Sequence, residues 1–354
     1  MAQTSYGVND PLAVKLWSKK LAVEALKQTW ASKFFGTDSS ALIHIKDETQ
    51  KSAGDKITYG LRMQLTGSGV QGDGALEGNE EALTTYSDAV LLNQLRHAVR
   101  SAGRMSQQRV PFDIRQEALS GLRDWWADRL DNSFFNQICG NTVQADTRYT
   151  GNNAAIAVDA NHRVDAAGGS ADESLTSSNL FTLSVIDRAV EHAKTLTPAI
   201  RPVKIKGKEY YVAFLHPYQV TDLRTNTNSG QWLDIQKAAM TGGEIDDNPI
   251  FDGSLGVYNG VILHSDFRVT PGVVSTAPAS AVSNVRRAVL CGAQAAMLAF
   301  GREDGPERYT WVEELFDYEN ELGVSAGLIF GLKKTTFNSA DFASIVMSTW
   351  AVQH

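Results

Sequence analysis

The sequence predicts an α+β protein. Two hydrophobic periods carry that expectation: helical spacing over the long run from Arg109 to Cys139, and period-two alternation in segments such as Ile57 to Leu65. A third observation, the absence of a visible internal repeat, excludes a solenoid or propeller. A chain of 354 residues supports two or three lobes around substantial cores.

Residues 1–12 are polar, with Gly7 and Pro11, and read as an extended arm. From Leu12 to Phe35, Val14, Leu16, Trp17, Leu21, Ala25, Leu26 and Trp30 recur near helical spacing, and Gly36-Thr-Asp ends that helix. Asp55 to Leu65 then alternates, placing Ile57, Tyr59, Leu61, Met63 and Leu65 on one face. A Gly-rich stretch follows, and Ala82 to Val99 resumes with β-favourable residues, so strand, tip and returning strand form an extended hairpin. Pro111 and Asp113 mark the start of the strongest helix and Gly140-Asn its end. Between them Ile114, Leu119, Leu122, Trp126, Leu130, Phe134 and Ile138 form one stripe.

Asn141 to Asn179, rich in Gly, Ala, Asn, Asp and Ser, reads as a long surface excursion. Phe181 to Leu196 returns to helical period. Glu209 to Leu215 is a buried strand, His216-Pro-Tyr opens a helix to Arg224, and another helix covers Gln231 to Met240. Gly256 to Phe267 is strand-like around a glycine turn. Val285 to Phe300 is an apolar strand or helix, Tyr309 to Tyr318 alternates, and Phe342 to Val352 is a strand returning to an earlier lobe.

Bulk chemistry narrows the function. A net charge of −7 argues against a general nucleic-acid binder. MAQTSYGVND lacks the pattern of a secretory signal, and no apolar run is long enough to span a membrane. Cys139 and Cys291 lie far apart in apolar segments and read as buried free thiols, which fits a reducing compartment such as cytoplasm.

The short motifs do not assemble a catalytic site. Gly67-Ser-Gly69-Val-Gln-Gly72 spells a dinucleotide fingerprint, which needs a following helix whose amides face a pyrophosphate. Asp73-Gly-Ala-Leu-Glu-Gly-Asn-Glu-Glu supplies glycines and repelling acids instead. Asp88 has the spacing of a ribose-binding acid but sits in the return strand. Gly323-Val-Ser325-Ala-Gly327 spells a nucleophile elbow, with Asp341 and His354 following too close to the C-terminus for the usual sheet. The seven histidines have no partner at metal-ligand spacing, and Glu244, Asp246, Asp247 and Asp252 lack the spacing of a calcium loop. No cofactor, metal or catalytic group is expected. What remains is an arm and a ribbon that cannot bury a core by themselves, and two-stranded ribbons are marginal in water. A neighbouring molecule must order them, which points to a building block.

In that order of elements the chain resembles the HK97-type major capsid proteins of tailed phages, and more narrowly the N4-like group. The carriers are DPLAVKLWSKKLAVEALKQTWASKFFG (Asp10 to Gly36), the hairpin from Asp55 to Val99, and FDIRQEALSGLRDWWADRL (Phe112 to Leu130). The resemblance implies five segments: an N-terminal arm and helix (1–43), an extended loop (44–100), a peripheral domain with a long spine helix (101–180), an axial domain (181–302) and a return to the peripheral domain (303–354). It also implies self-assembly into hexamers and pentamers of an icosahedral head, formed in the bacterial host cytoplasm and enclosing double-stranded DNA without reading its sequence. Expected partners are a separate scaffolding protein, since the segment before the arm helix is too short for a fused one, with a portal and a decoration protein. Contacts between subunits would fall on Gly67, Gly69, Gly72, Gly74, Glu77, Glu80 and Glu81 of the loop, whose glycines let the tip bend, and on Leu16, Trp17 and Trp30 of the arm. No Lys occurs between Lys56 and Lys194, which argues against covalent cross-linking through a loop lysine. Competing uses are an encapsulin-like compartment, an α/β hydrolase or a nucleotide-binding enzyme.

Overall fold

A computed structural model describes residues 21, 25, 28–46, 54–63, 65–109, 113–169, 171–205, 207–226, 254–301 and 309–354. Leu16, Trp17, the expected helix Gln231 to Met240 and the acidic run from Glu244 lie outside the described residues.

After a 3-10 turn over Trp30–Phe34, strands β1 (Phe35–Gly36) and β2 (Ile43–Lys46) lead to the hairpin β3 (Lys56–Arg62) and β4 (Thr85–Leu91). Strand β5 (Asn93–Arg100) continues from β4 into the body and precedes a short helix, α1 (Arg104–Arg109). Helix α2 (Ile114–Ile138) has the expected ends. The Asp113 carboxylate accepts from the Arg115 amide at 2.9 Å, and Gly140 at φ 63° closes the C-terminal turn. Its 25 residues extend roughly 38 Å at 1.5 Å per residue.

Beyond α2 come β6 (Arg163–Asp165), α3 (Leu183–Thr195), β7 (Val203–Ile205), β8 (Lys208–Leu215) and α4 (Pro217–Thr225). His216 caps α4: its Nδ1 accepts from the Tyr218 amide, and Gln219 reaches back to the His216 amide. The hairpin β9 (Ser254–Tyr258) and β10 (Val261–Ser265) turns at Asn259 and Gly260, both at positive φ. Then follow β11 (Pro271–Val273), β12 (Ala281–Cys291), β13 (Ala296–Phe300), β14 (Tyr309–Phe316), β15 (Glu321–Lys334), the pair β16 (Thr336–Phe337) and β17 (Ala340–Asp341), and β18 (Ser344–Trp350).

Two sheets organise these strands. One runs β1-β2-β13-β15-β14, with β5 also pairing along β15. Helix α2 lies on it, driving Trp126 edge-on against Tyr309 and Phe330. The other runs β6-β18-β12-β8-β10-β9. The apolar run Val285 to Phe300 is therefore two strands rather than a helix, and each joins a different sheet. The last strand returns to earlier segments of the chain: β18 pairs with β12 and with β6, in the sheet that does not carry α2. Local period shows that a segment is a strand, but its partner is set by contacts far away in sequence.

Asn141 to Asn179 is not only a surface excursion. It supplies β6 and a buried ionic cluster in which Asp172 meets Arg163 at 2.6 Å and Arg287 at 2.7 Å. Arg287 also donates to the carbonyls of Cys139 and Gly140, tying the end of α2 to β12. Burial pushes the Asp172 carboxyl up, and the two guanidiniums outweigh it, leaving it below the usual carboxylate range.

Candidate assembly surface

The hairpin divides into an anchored base and an exposed tip. At the base, alternation along β3 turns Ile57 and Tyr59 inward, and β4 turns Val90 inward. With Leu92 these pack on Met297, Ala299 and Phe337 of the body. Polar contacts fix the direction of the ribbon. Asp88 accepts from Tyr59 Oη at 2.7 Å, from Thr336 Oγ1 at 3.1 Å and from the Lys333 ammonium. Burial raises the Asp88 carboxyl, and Lys333, Tyr59 and the Ala89 amide together bring it below its ordinary value. The spacing that suggested a ribose acid thus belongs to an anchor. Sequence reading missed that role; its one signal was a carboxylate between apolar positions of a return strand.

Neighbouring lysines on β15 face opposite ways, as strand geometry requires. Lys333 holds the hairpin. Lys334, fully buried, pairs with Asp341 at 2.6 Å and donates to the carbonyls of Ile156 and Ala157. Close approach is also built into Gly331, where a Cβ would sit 2.0 Å from the Leu91 carbonyl oxygen. Only glycine lets the returning ribbon cross β15 there.

Residues 65–85 are exposed throughout. Their shape comes from local hydrogen bonds. Glu81 accepts from the amides of Thr66 and Gly67 at 2.7–3.0 Å, and Glu80 accepts from the Gly78 amide at 2.7 Å. Those amide bonds hold the exposed Glu81 carboxyl below its ordinary range. A side chain at Gly67 would meet the Glu81 carboxylate at 2.8 Å. Gly69, Gly72 and Gly78 take positive φ, whereas Gly74 makes room for Val70. Glu80 and Glu81 are thus occupied within their own tip, and Glu77 is exposed. Four large apolar side chains, Leu65, Val70, Leu76 and Leu83, also face outward.

Trp30 is half-buried and packs against the core of its own subunit. Its ring stacks on Phe135 at 5.8 Å and meets Phe34, Phe214 and His264 edge-on or tilted. The amides of Trp30 and Ala31 donate to the two oxygens of Asp131 on α2, at 3.0 and 2.9 Å. Burial pushes the Asp131 carboxyl up to about 6, despite those amides and Arg268.

The enzyme-like strings find no chemistry. Gly67 to Gly72 lies in the tip of an antiparallel hairpin and leads through turn and coil into the return strand β4, not into a helix. Ser325 lies inside β15, where its hydroxyl donates to the Val312 carbonyl; Asp341 pairs with Lys334 and His354 with Asp222. Cys139 and Cys291 are free and buried, and burial raises both thiols. Among the described residues no group of three or more His, Cys, Asp or Glu is placed to hold a metal, and no helix is long and apolar enough to cross a membrane.

Comparison with known proteins gives the family to which this fold belongs. The capsid of Ralstonia phage GP4 superposes with a TM-score of 0.78 at 34% identity, covering 99% of both chains. The Cyanophage Pam1 capsid subunit shares the fold with a TM-score of 0.73 at 20% identity, over 93% of this chain and 94% of that one. The major capsid protein of Pseudomonas phage KPP25 is 29% identical over 349 residues, 92% of this chain and 89% of the relative. A sequence model of the family described as "Phage capsid protein" matches residues 5–353. The chain belongs to the phage capsid protein family and builds the head of a phage as its major capsid protein.

Proposed function

We propose that the subunit assembles into hexamers and pentamers of an icosahedral shell around double-stranded DNA, with residues 65–84 lying over a neighbouring subunit. One observation carries this reading: a ribbon fixed at its base holds four large apolar side chains out in water. Covering such a patch is favourable at roughly 25 cal/mol per Å². Asp73 and Glu77 are the tip acids left for a partner, since Glu80 and Glu81 are engaged locally. The subunit acts as a structural element rather than as an enzyme, because the strings that suggested catalysis have other uses.

The finer assignments are proposals of the same reading. Residues 1–43 serve as arm, 44–100 as extended loop, 101–180 with α2 as spine of a peripheral domain, 181–302 as axial domain and 303–354 as the return to the peripheral domain. Leu16 and Trp17 contact a neighbour through the arm, and Trp30 roots that arm in its own body. The N4-like grouping rests on the stretches Asp10 to Gly36, Asp55 to Val99 and Phe112 to Leu130. A separate scaffolding protein and a portal complete the head inside the host cytoplasm. Deleting Gly67 to Gly78 tests the central claim. Subunits that fold yet give no closed shells by electron microscopy are expected; normal DNA-filled shells would refute the role given to the ribbon.

A further inference from the structure

The turn joining β14 to β15 is built in a way its connecting role does not require. Asp317, Tyr318 and Glu319 are three successive non-glycine residues in the left-handed region, at φ 49°, 51° and 66°. Side chains disfavour that region, and it is rare for bulky residues. Tyr318 stands at its apex with its ring entirely in solvent, at 103% relative exposure. The turn is nonetheless held firmly. The Asn320 amide donates to the Asp317 carbonyl, the Asn320 side-chain oxygen accepts from the Arg104 amide, and Glu321 pairs with Arg100. Gly103, at φ 118°, leaves room for the Asn320 side chain. A rigid frame that holds an aromatic ring away from its own subunit, at a conformational cost, is a preorganised contact.

Beside the turn lies its chemical complement. Helix α1 exposes Arg104, Met105 and Arg109, with Met105 64% exposed. Asp317 and Glu319 are exposed on the turn itself, and neither forms an ion pair with Arg104 or Arg109 among the described residues. An acidic aromatic knob and a basic patch bearing a thioether, side by side on one corner, suit a second copy better than a foreign partner. Knob against patch, repeated from copy to copy, is a heterologous contact that closes a ring around a rotation axis. We propose that this corner is an assembly contact distinct from the ribbon. In it Tyr318 of one subunit sits on Met105 and the guanidiniums of Arg104 and Arg109 of the next, while Asp317 and Glu319 pair with those guanidiniums. Sulfur–aromatic and cation–π contacts both suit a tyrosine ring there.

The inference rests on the shell reading, and its test keeps the two apart. Subunits are supplied from plasmids to host cells infected by a phage that lacks the capsid gene, and particles are counted by electron microscopy. Wild-type copies must restore particles; their failure would overturn the shell reading and this contact with it. Tyr318→Asn, which suits the left-handed backbone, should leave the thermal unfolding midpoint of the subunit unchanged or higher while particle yield falls at least tenfold. An undiminished yield overturns the proposal. Glu319→Arg and Arg104→Glu should each depress yield, and co-expression of the two single variants should recover part of it, because an altered turn can then meet an altered helix on another copy. If the mixture is no better than either variant alone, the charges act inside one subunit and the proposal fails.

Discussion

Replacing Lys333 with Met should loosen the ribbon without unfolding the body. The lysine and Asp88 side chains are 14% and 13% exposed, placing the pair between a buried bridge, whose breakage costs about 3–5 kcal/mol, and a surface one worth about 0–1. A loss of about 2–3 kcal/mol is the physical expectation. The packing of Ile57, Tyr59, Val90 and Leu92 against the body survives the change, so the ribbon still docks, only less often. At about 1.4 kcal/mol per tenfold, amides that β3 and β4 share should exchange hydrogen roughly 30- to 150-fold faster by mass spectrometry. Amides of β12 and β18, in the other sheet, should not change. Adding Asp88→Asn to Lys333→Met removes the stranded carboxylate and should recover most of the protection. Equal exchange of β3 and β4 in wild type and Lys333→Met would refute the anchor argument.

Three other perturbations follow from the same packing. Trp126→Ala empties a fully buried site between α2 and its sheet and should lower unfolding free energy by about 3–5 kcal/mol, read from the denaturant midpoint. Gly331→Ala drives a methyl into the Leu91 carbonyl, and protease nicking of the ribbon should rise while β13 stays protected. Asp131, raised from 3.8 to about 6, contributes stability that is complete below pH 3.8 and disappears as pH rises through 6. Asp131→Asn should remove that slope from the stability–pH profile. Asp172, held below its ordinary value, acts with the opposite sign, and its contribution is lost as pH falls through its depressed range.

Both ends of α2 were legible because their signals are local: an aspartate able to cap, and a glycine able to turn left-handed. The hairpin was legible for a related reason, since alternation on both sides of a glycine-rich stretch leaves few other structures. The partners of β12, β13 and β18 were not, because apolar runs that look alike are sorted between sheets only by the assembled core. The Asp172 cluster was hidden in a stretch whose composition reads as loop; nothing near Asp172 in sequence announces Arg287, 115 residues away. Trp30 reads from the sequence as an arm residue, yet its partners Phe135 and Phe214 are distant in the chain, and they pack its half-buried ring against the core of its own subunit. The strained turn at Tyr318 gave no signal at all, since none of its three residues is the glycine that such a backbone ordinarily demands.

The unequal construction of the ribbon follows from what each part has to do. Its base combines apolar burial with an ion pair, so its direction is set before any neighbour arrives. Its tip is held by carboxylates that reach only two to fifteen residues along the chain, as Glu80 does to Gly78 and Glu81 to Thr66 and Gly67. Such bonds preserve a shape but bury no surface, which leaves Leu65, Val70, Leu76 and Leu83 available to a partner. Because Glu81 holds its place as a carboxylate, acid should act on the tip before it acts on the apolar base. As pH falls through the depressed range of Glu81, the tip amides lose their acceptor, while Ile57 and Val90 remain packed. Acid carried below the ordinary carboxylate range should therefore raise hydrogen exchange first at Thr66 and Gly67. Simultaneous loosening of tip and base would show that the ribbon is one cooperative unit and that the division drawn here is false.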